Sequence, residues 1–433
     1  MTPETGDLLR KPAIRRLQPL FQKVLASVAD QGVASSTNFV MNVLLARWLT
    51  RSGYGAFSVA WSFCLVFAAF HNALVVEPMI IIGPSEFGDR LEPYLARVNR
   101  FQWLVAAALS AVAALLGLFY REPVVRRSLL GLALCLPGYM LLLTRRREQH
   151  VLHQPGKALR LSLIYAVLVG GVLWTLNATS MLSAASGTLA IGVSWAAGFA
   201  GRMPKADAGG MLEVAKEHWR YGKWLFASSL LAVGIPDVQT IMLSLLVDLK
   251  SAGALRALMN FVLPLSQLMT AFNVYALPRF ARRIKQAGTG PGLRHVIFFP
   301  ALMLIVGMAY MAVLIMAGPF LEKVLYAGKM AEYLGYLPLL AAGALLAVLA
   351  GGFSTLLRAA QNSAHQFVSG VAGSVVGLGS AFALLKTYGL MGALWSIILA
   401  NAAAAAVVIG AYALALRKDP AEWAPLHYLR ENK

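Results

Sequence analysis

The chain has 433 residues, of which 58% are hydrophobic and only 13% charged, and its mean hydropathy is +0.65. A soluble domain usually carries about a quarter charged residues, so the composition excludes a string of ordinary soluble domains. A net charge of +19 is also found in nucleic-acid-binding proteins, but in so apolar a chain it favours Lys and Arg gathered in cytoplasmic loops. The sequence therefore predicts an all-α, polytopic membrane protein with no nucleic-acid partner.

Charge clusters and Gly/Pro turns divide the apolar sequence into segments of the roughly 20 residues that a membrane-spanning helix needs. Twelve such helices are predicted, at 22–48, 54–83, 100–120, 128–144, 157–178, 182–201, 220–247, 252–278, 293–318, 332–357, 364–385 and 390–416.

The distribution of Lys and Arg predicts the orientation. With the N-terminus inside, the inner segments carry roughly three times as many Lys and Arg residues as the outer loops, as expected for cytoplasmic segments. Twelve spans then place both termini in the cytoplasm. Because every outer loop is short, we expect no extramembrane catalytic domain and predict that the protein is not an enzyme.

A weak internal repeat predicts two lobes of six helices, because Leu49 and Gly53 recur as Leu249 and Gly253. The predicted organisation is a basic cytoplasmic segment (1–21), an N-lobe (22–201), a cytoplasmic linker (202–219), a C-lobe (220–416) and a cytoplasmic tail (417–433).

Motifs for cofactors and metals are missing from the sequence. Cys64 and Cys135 lie in apolar runs without neighbouring ligand residues, which predicts packing rather than a disulfide or zinc site. The sequence contains no Walker loop, no HExxH, no Gly-x-Ser-x-Gly and no Rossmann fingerprint. We therefore expect no catalytic residue, no metal and no cofactor.

Ionisable side chains inside predicted spans are the candidate functional residues, because such groups are costly in a membrane and usually face a cavity or a partner. Each can alternatively stabilise a kink or a neighbouring helix. The run Arg145-Arg146-Arg147 is interpreted as a topology signal. The polar and charged residues singled out within or at the ends of spans are Asp30, Gln31, Asn38, His71, Glu77, Asp237, Arg256, Asn260 and Arg358.

Several segments resemble bacterial O-antigen-type polysaccharide flippases (Wzx-like) of the multidrug/oligosaccharidyl-lipid/polysaccharide (MOP) exporter superfamily. The resemblance is strongest over roughly the first 100 residues. The segments that carry it are Asp30-Gln31-Gly32 to Asn38-Phe39, Leu44 to Leu49, Tyr54 to Phe57, His71 to Pro78, Gly83 to Ser85 and Trp219 to Trp224.

The resemblance implies a MATE/MOP-like fold of two six-helix lobes. Its implied function is translocation of polyprenyl-diphosphate-linked oligosaccharide repeat units across the inner membrane, by ion-coupled alternating access. The implied partners are the lipid-linked oligosaccharide, membrane lipids and the polysaccharide polymerase or export machinery. Arg256, Arg358, Asn260, Asn38 and Gln31 are then expected to bind substrate. Ion coupling or a polar cavity wall is expected of Asp30, Glu77, Asp237 and His71.

Two alternatives remain from the sequence. A MATE-type drug or cation antiporter of the same superfamily would favour an acidic, aromatic-lined cavity, and Arg256 argues against it. A polytopic O-antigen polymerase or ligase would resemble chains with a long outer loop bearing arginines and a histidine, whereas the outer loops here are short.

Overall fold

The fold is all-α. A computed structural model describes residues 7–200, 210–232, 235–360 and 364–417. Over these ranges the chain forms helices joined by short turns and no β-strand.

Fifteen α-helices are present in the described ranges. They are α1 (Asp7–Trp48), α2 (Arg51–His71), α3 (Glu77–Ile82), α4 (Leu91–Phe119), α5 (Pro123–Val151), α6 (Pro155–Ala178), α7 (Ala184–Leu189), α8 (Ser194–Phe199), α9 (Met211–Ala232), α10 (Ile235–Leu246), α11 (Leu249–Ala287), α12 (Thr289–Val296), α13 (Phe298–Tyr326), α14 (Leu337–Ala359) and α15 (Ala364–Arg417).

The helices coincide with the predicted spans and differ mainly at their ends. Helices α2 and α3 together form the second span, α7 and α8 the sixth, and α9 and α10 the seventh. The last two predicted spans both lie in α15, which contains one non-helical residue, Gly389, at φ 54° and ψ −128°. A positive φ is accessible to glycine at little steric cost, so Gly389 separates the spans without a loop.

Eight helical segments in the described parts of the chain are long and apolar enough to cross a membrane, and Ala184–Phe199 is a shorter apolar pair. The first predicted span, within α1, and the seventh, formed by α9 and α10, are not among the eight. The polar residues Asp30, Gln31 and Asn38 lower the hydropathy of the first. The protein is a multi-pass membrane protein whose first predicted span is unusually polar.

The second span changes geometry just before Glu77-Pro78. Residues Asn72–Val76 form a π-helical turn directly before Glu77-Pro78. Proline has no backbone N–H, and a π-turn also disturbs the regular backbone hydrogen bonding. His218 of α9 donates from Nδ1 to the Leu74 carbonyl oxygen at 3.1 Å, and the Tyr94 hydroxyl donates to its Nε2 at 2.8 Å.

The chain divides into two compact units. Unit 1 comprises Met1–Leu49 and Phe63–Phe226, and unit 2 comprises Thr50–Ser62 and Ala227–Lys433. In unit 1 a buried apolar cluster joins the second span, α4 and α9 through residues that include Met79, Tyr94 and Val214. In unit 2 the first turns of α2 pack directly against the first turns of α11.

That packing depends on two glycines. A Cβ atom added at Gly55 would overlap the Leu249 carbonyl oxygen, and one added at Gly253 would lie 3.0 Å from the Gly55 nitrogen. The backbones of α2 and α11 therefore approach at a distance that only glycine permits, as in small-residue helix contacts of membrane proteins.

We predict that Gly55→Ala destabilises the protein by about 1–3 kcal/mol or more, because the neighbouring atoms are backbone and cannot rotate away. Thermal unfolding of the detergent-purified protein measures this. Gly379→Ala is the matched control, since a Cβ atom there meets nothing within 4 Å. Equal melting temperatures for the two variants would contradict the close approach.

Candidate functional site

The most heavily bonded polar group in the described part of unit 1 is the Asp30 carboxylate. Its side chain is 2% exposed and pairs with the Arg146 guanidinium, with Nε to Oδ1 at 3.1 Å and Nη2 to Oδ2 at 3.0 Å. His150 Nε2 lies 2.9 Å from Oδ2, and the Ser162 hydroxyl donates to Oδ1. One buried carboxylate thus joins α1, α5 and α6.

The partners of Asp30 follow from helical geometry. Arg146 and His150 are four residues apart on α5 and therefore lie on one face of that helix, while Ser162 is in the second turn of α6. Sequence reasoning singled out Asp30 but assigned Arg146 to a topology signal. The i,i+4 pair of basic residues was the available signal for a shared acidic partner.

Another arginine of that run is also buried. Arg145 Nη1 contacts the Glu148 carboxylate at 2.6 Å, and the two side chains are 3% and 1% exposed. Asn99 of α4 donates to the same carboxylate at 3.1 Å. Arg145 and Arg146 therefore have packing roles in addition to any role in topology.

Glu77 and His71, the other predicted groups of the second span, have separate partners. Asn72 donates to Glu77 Oε1 at 3.3 Å. Buried His71 contacts Gln102 Oε1 at 3.3 Å and the Thr144 hydroxyl at 3.4 Å through Nε2. Neither residue shares a direct bond with Asp30 among the described residues.

In unit 2 the structure brings together two of the predicted residues. Arg256 Nη1 of α11 lies 3.1 Å from Asp237 Oδ1 of α10, with the two side chains 10% and 18% exposed. The Ser62 hydroxyl of α2 donates to the same Asp237 oxygen at 3.3 Å. Asp237 therefore fixes one end of the Arg256 guanidinium.

The opposite edge of that guanidinium is buried and unused. Arg256 Nε and Nη2 have no hydrogen-bond partner among the residues that the structure describes. These two N–H groups form the planar fork with which arginine binds a carboxylate or phosphate in bidentate fashion. A buried N–H group that makes no hydrogen bond is costly, so this edge of the guanidinium is a candidate binding site for an oxyanion.

Asn260, about one turn beyond Arg256 on α11, contacts two tyrosines from other helices. The Asn260 amide donates to the Tyr54 hydroxyl at 3.2 Å and to the Tyr326 hydroxyl at 3.4 Å. The Tyr326 hydroxyl in turn donates to the Ala257 carbonyl oxygen at 3.1 Å. Sequence reasoning identified Asn260 but missed both tyrosines, which come from distant helices.

The remaining predicted residues, Gln31, Asn38 and Arg358, have fewer described contacts. Gln31 is exposed and donates to Ser35 of its own helix at 3.5 Å, and Asn38 hydrogen-bonds the Tyr139 hydroxyl. Arg358 is exposed in the last turn of α14. Across the described ranges, no cluster of three or more His, Cys, Asp or Glu side chains is placed to hold a metal ion.

The fold is similar to that of solved transporters of the MOP superfamily. The chain is similar to an inward-facing multidrug resistance MATE transporter of the MOP superfamily (TM-score 0.72, 12% identity, covering 90% of this chain and 98% of that one). It is also similar to the lipid II flippase MurJ in an inward closed conformation (TM-score 0.69, 14% identity, 90% and 87% covered).

A third similar structure is a MOP-superfamily transporter from Pyrococcus furiosus, described as having a binding pocket of reversed polarity (TM-score 0.61, 12% identity, 93% and 96% covered). No protein-family model and no curated protein sequence matches the chain.

Proposed function

We propose that the protein is a flippase that moves polyprenyl-diphosphate-linked oligosaccharide repeat units across the bacterial inner membrane for polysaccharide export. It works by ion-coupled alternating access between an N-lobe (22–201) and a C-lobe (220–416), with both termini in the cytoplasm. The substrate and membrane lipids are its direct partners, and the polymerase or export machinery receives the product.

The buried edge of Arg256 carries this proposal. A diphosphate is a doubly charged oxyanion that must leave water to cross the membrane, and it needs a fixed cation inside the protein to offset the loss of hydration. Arg256 supplies two parallel N–H donors on Nε and Nη2, while Asp237 holds the guanidinium in place through Nη1. Bidentate pairing with a phosphate oxygen pair completes that geometry.

The other predicted residues take supporting roles. Asn260 lies about one turn beyond Arg256 on α11 and, together with Arg358, Asn38 and Gln31, forms the polar contacts to the glycan and diphosphate. Asp30, Glu77, Asp237 and His71 are the ion-coupling or cavity groups.

A drug or cation antiporter is the second candidate function, and it is supported by the similarity to a MATE transporter. A cationic drug requires a carboxylate that is available to it. Asp237 pairs with Arg256, and Asp30 pairs with Arg146 and bonds His150 and Ser162, while Glu77 accepts from the Asn72 amide at 3.3 Å and forms no ion pair among the described residues. The buried N–H groups of Arg256 that lack a partner in the described part of the chain favour an anionic substrate and therefore the flippase, and the similarity to the lipid II flippase MurJ is comparable to that to the MATE transporter.

Deleting the gene tests the proposal in the cell. We expect lipid-linked repeat units to accumulate on the cytoplasmic leaflet and surface polysaccharide to disappear, because removing a charged diphosphate head from water is too costly for it to cross the membrane unaided. Leaflet-specific labelling of the glycan measures both, and re-expression of the chain is the control. Normal surface polysaccharide in the deletion strain, together with increased sensitivity to cationic drugs, would support the antiporter instead.

A further inference from the structure

A groove on the surface of unit 1 lies between α1 and α6 and encloses about 420 Å³, within the range of about 300–1,000 Å³ typical of small-molecule sites. Its walls are almost entirely apolar, with Val40 and Met41 from α1 and Val169 and Leu173 from α6 among the lining residues. The Thr37 hydroxyl in the wall already donates to the Val33 carbonyl oxygen. The groove offers contact area and few free polar groups.

Glycines form the open space. Gly32 and Gly170 both line the groove, and a Cβ atom built on either of them meets nothing within 4 Å. Glycine within a helix is destabilising relative to alanine. The two glycines therefore widen the groove and do not serve a close contact between helices.

The length of the groove suits a hydrocarbon chain lying along the bundle. Its lining residues on α1 extend from Gly32 to Leu44, which at 1.5 Å per residue is about 18 Å. That is more than half of the roughly 30 Å hydrocarbon core of a bilayer. Beyond the Leu44 end, the rings of Trp48 and Trp174 pack edge to face with their centroids 6.2 Å apart.

The other end of the groove lies beside a cluster of charged side chains. The Asp30–Ser162 hydrogen bond joins α1 to α6 there, with Arg146 and His150 around the same carboxylate. Exposed Arg147 interacts electrostatically with Arg146, Asp30 and Glu77. Its exposed guanidinium is the cation that a phosphate at this end would meet.

We propose that the groove between α1 and α6 holds part of the polyprenyl chain of the lipid-linked substrate before transport, with its phosphate end toward Arg146 and Arg147 and not yet at Arg256. This inference rests on the proposed function and adds to it a subsite for the tail. A tail held along the membrane normal keeps the lipid attached while the polar head crosses.

Filling the groove tests the inference. Gly170→Leu places a side chain in open space on the groove wall, and leucine is also the better helix former, so the variant should fold. Gly171→Leu is the matched control: it is adjacent on α6, it is also open for 4 Å around its Cβ, and it does not line the groove. Gly32→Leu fills the groove from α1 as an independent second variant.

The measurement is binding of a fluorescent long-chain polyprenyl monophosphate to the full-length protein in phosphatidylcholine nanodiscs. We expect Gly170→Leu and Gly32→Leu to weaken binding roughly tenfold, about 1.4 kcal/mol, and Gly171→Leu to leave it unchanged. Wild-type affinity in both groove variants would overturn the subsite. Equal competition by phosphatidylglycerol would overturn the polyprenyl occupant, because the groove would then bind any anionic lipid.

Failure of the subsite and failure of the proposed function give different results. If the protein restores export in the deletion strain but the groove variants bind the probe normally, the tail site is wrong and the flippase stands. If the groove variants lose binding but the wild-type protein does not restore export, the groove binds polyprenyl phosphate and the flippase assignment is wrong.

Discussion

Replacing Arg256 by lysine is expected to abolish most transport while leaving the protein folded. Lysine keeps a positive charge near Asp237, so this half-buried carboxylate is not left unpaired, but lysine lacks the planar Nε/Nη2 fork of arginine. Losing hydrogen bonds to a charged group costs about 1.5–3 kcal/mol, which corresponds to a roughly 10- to 100-fold lower rate of glycan export at subsaturating substrate. The rate of export is measured by pulse-labelling the polysaccharide and following its delivery to the outer face.

Arg51→Lys is the control for that substitution. Arg51 also lies in unit 2 and pairs with a carboxylate, Glu332, at 2.7 Å, but both side chains are substantially exposed. We expect wild-type export from it, because exposed ion pairs contribute about 0–1 kcal/mol. Full export from Arg256→Lys, at normal protein levels, would remove Arg256 from the substrate site.

Replacing Asp30 by asparagine is expected to give a large loss of stability. Asparagine has nearly the same shape, but the change leaves Arg146 buried without its counter-charge. Breaking a buried ion pair by removing one partner costs about 3–5 kcal/mol. Thermal unfolding of the purified protein, followed by intrinsic fluorescence in detergent, should show a melting temperature well below that of the wild type.

A second substitution separates the ion pair from other effects of the Asp30 change. Asp30→Asn combined with Arg146→Met removes the unpaired charge, so we expect the double variant to be more stable than Asp30→Asn alone. Glu332→Gln breaks the exposed pair with Arg51 and should change the melting temperature little. A melting temperature for Asp30→Asn equal to that of Glu332→Gln would contradict the structural role of the Asp30 cluster.

The architecture could be predicted from the sequence because membrane helices are specified locally. Each span needs its own run of apolar residues, and turns and charges mark the ends. Helix α15 shows both the strength and the limit of this reasoning. The two predicted spans, 364–385 and 390–416, are separated at Gly389, yet apolar composition alone gives no indication that the chain turns there without a loop.

The candidate residues were more predictable than their partners. Asp30, Asp237 and Arg256 stand out because charged side chains are rare inside spans. Their bonds depend on tertiary packing: Arg146 and Ser162 lie more than a hundred positions from Asp30 in the chain. The same holds for Tyr54 and Tyr326 around Asn260, since tyrosine is an ordinary residue in an apolar sequence.

The central claim, that the chain translocates a polyprenyl-diphosphate glycan, is tested most directly with purified protein in sealed proteoliposomes. A fluorescent polyprenyl-diphosphate oligosaccharide is placed in both leaflets, and a membrane-impermeant quencher reports the fraction exposed outside as a function of time. We predict protein-dependent movement of the probe between leaflets, slowed strongly by Arg256→Lys and unchanged by Arg51→Lys. Movement no faster than in protein-free liposomes, with a correctly folded protein, would contradict the account.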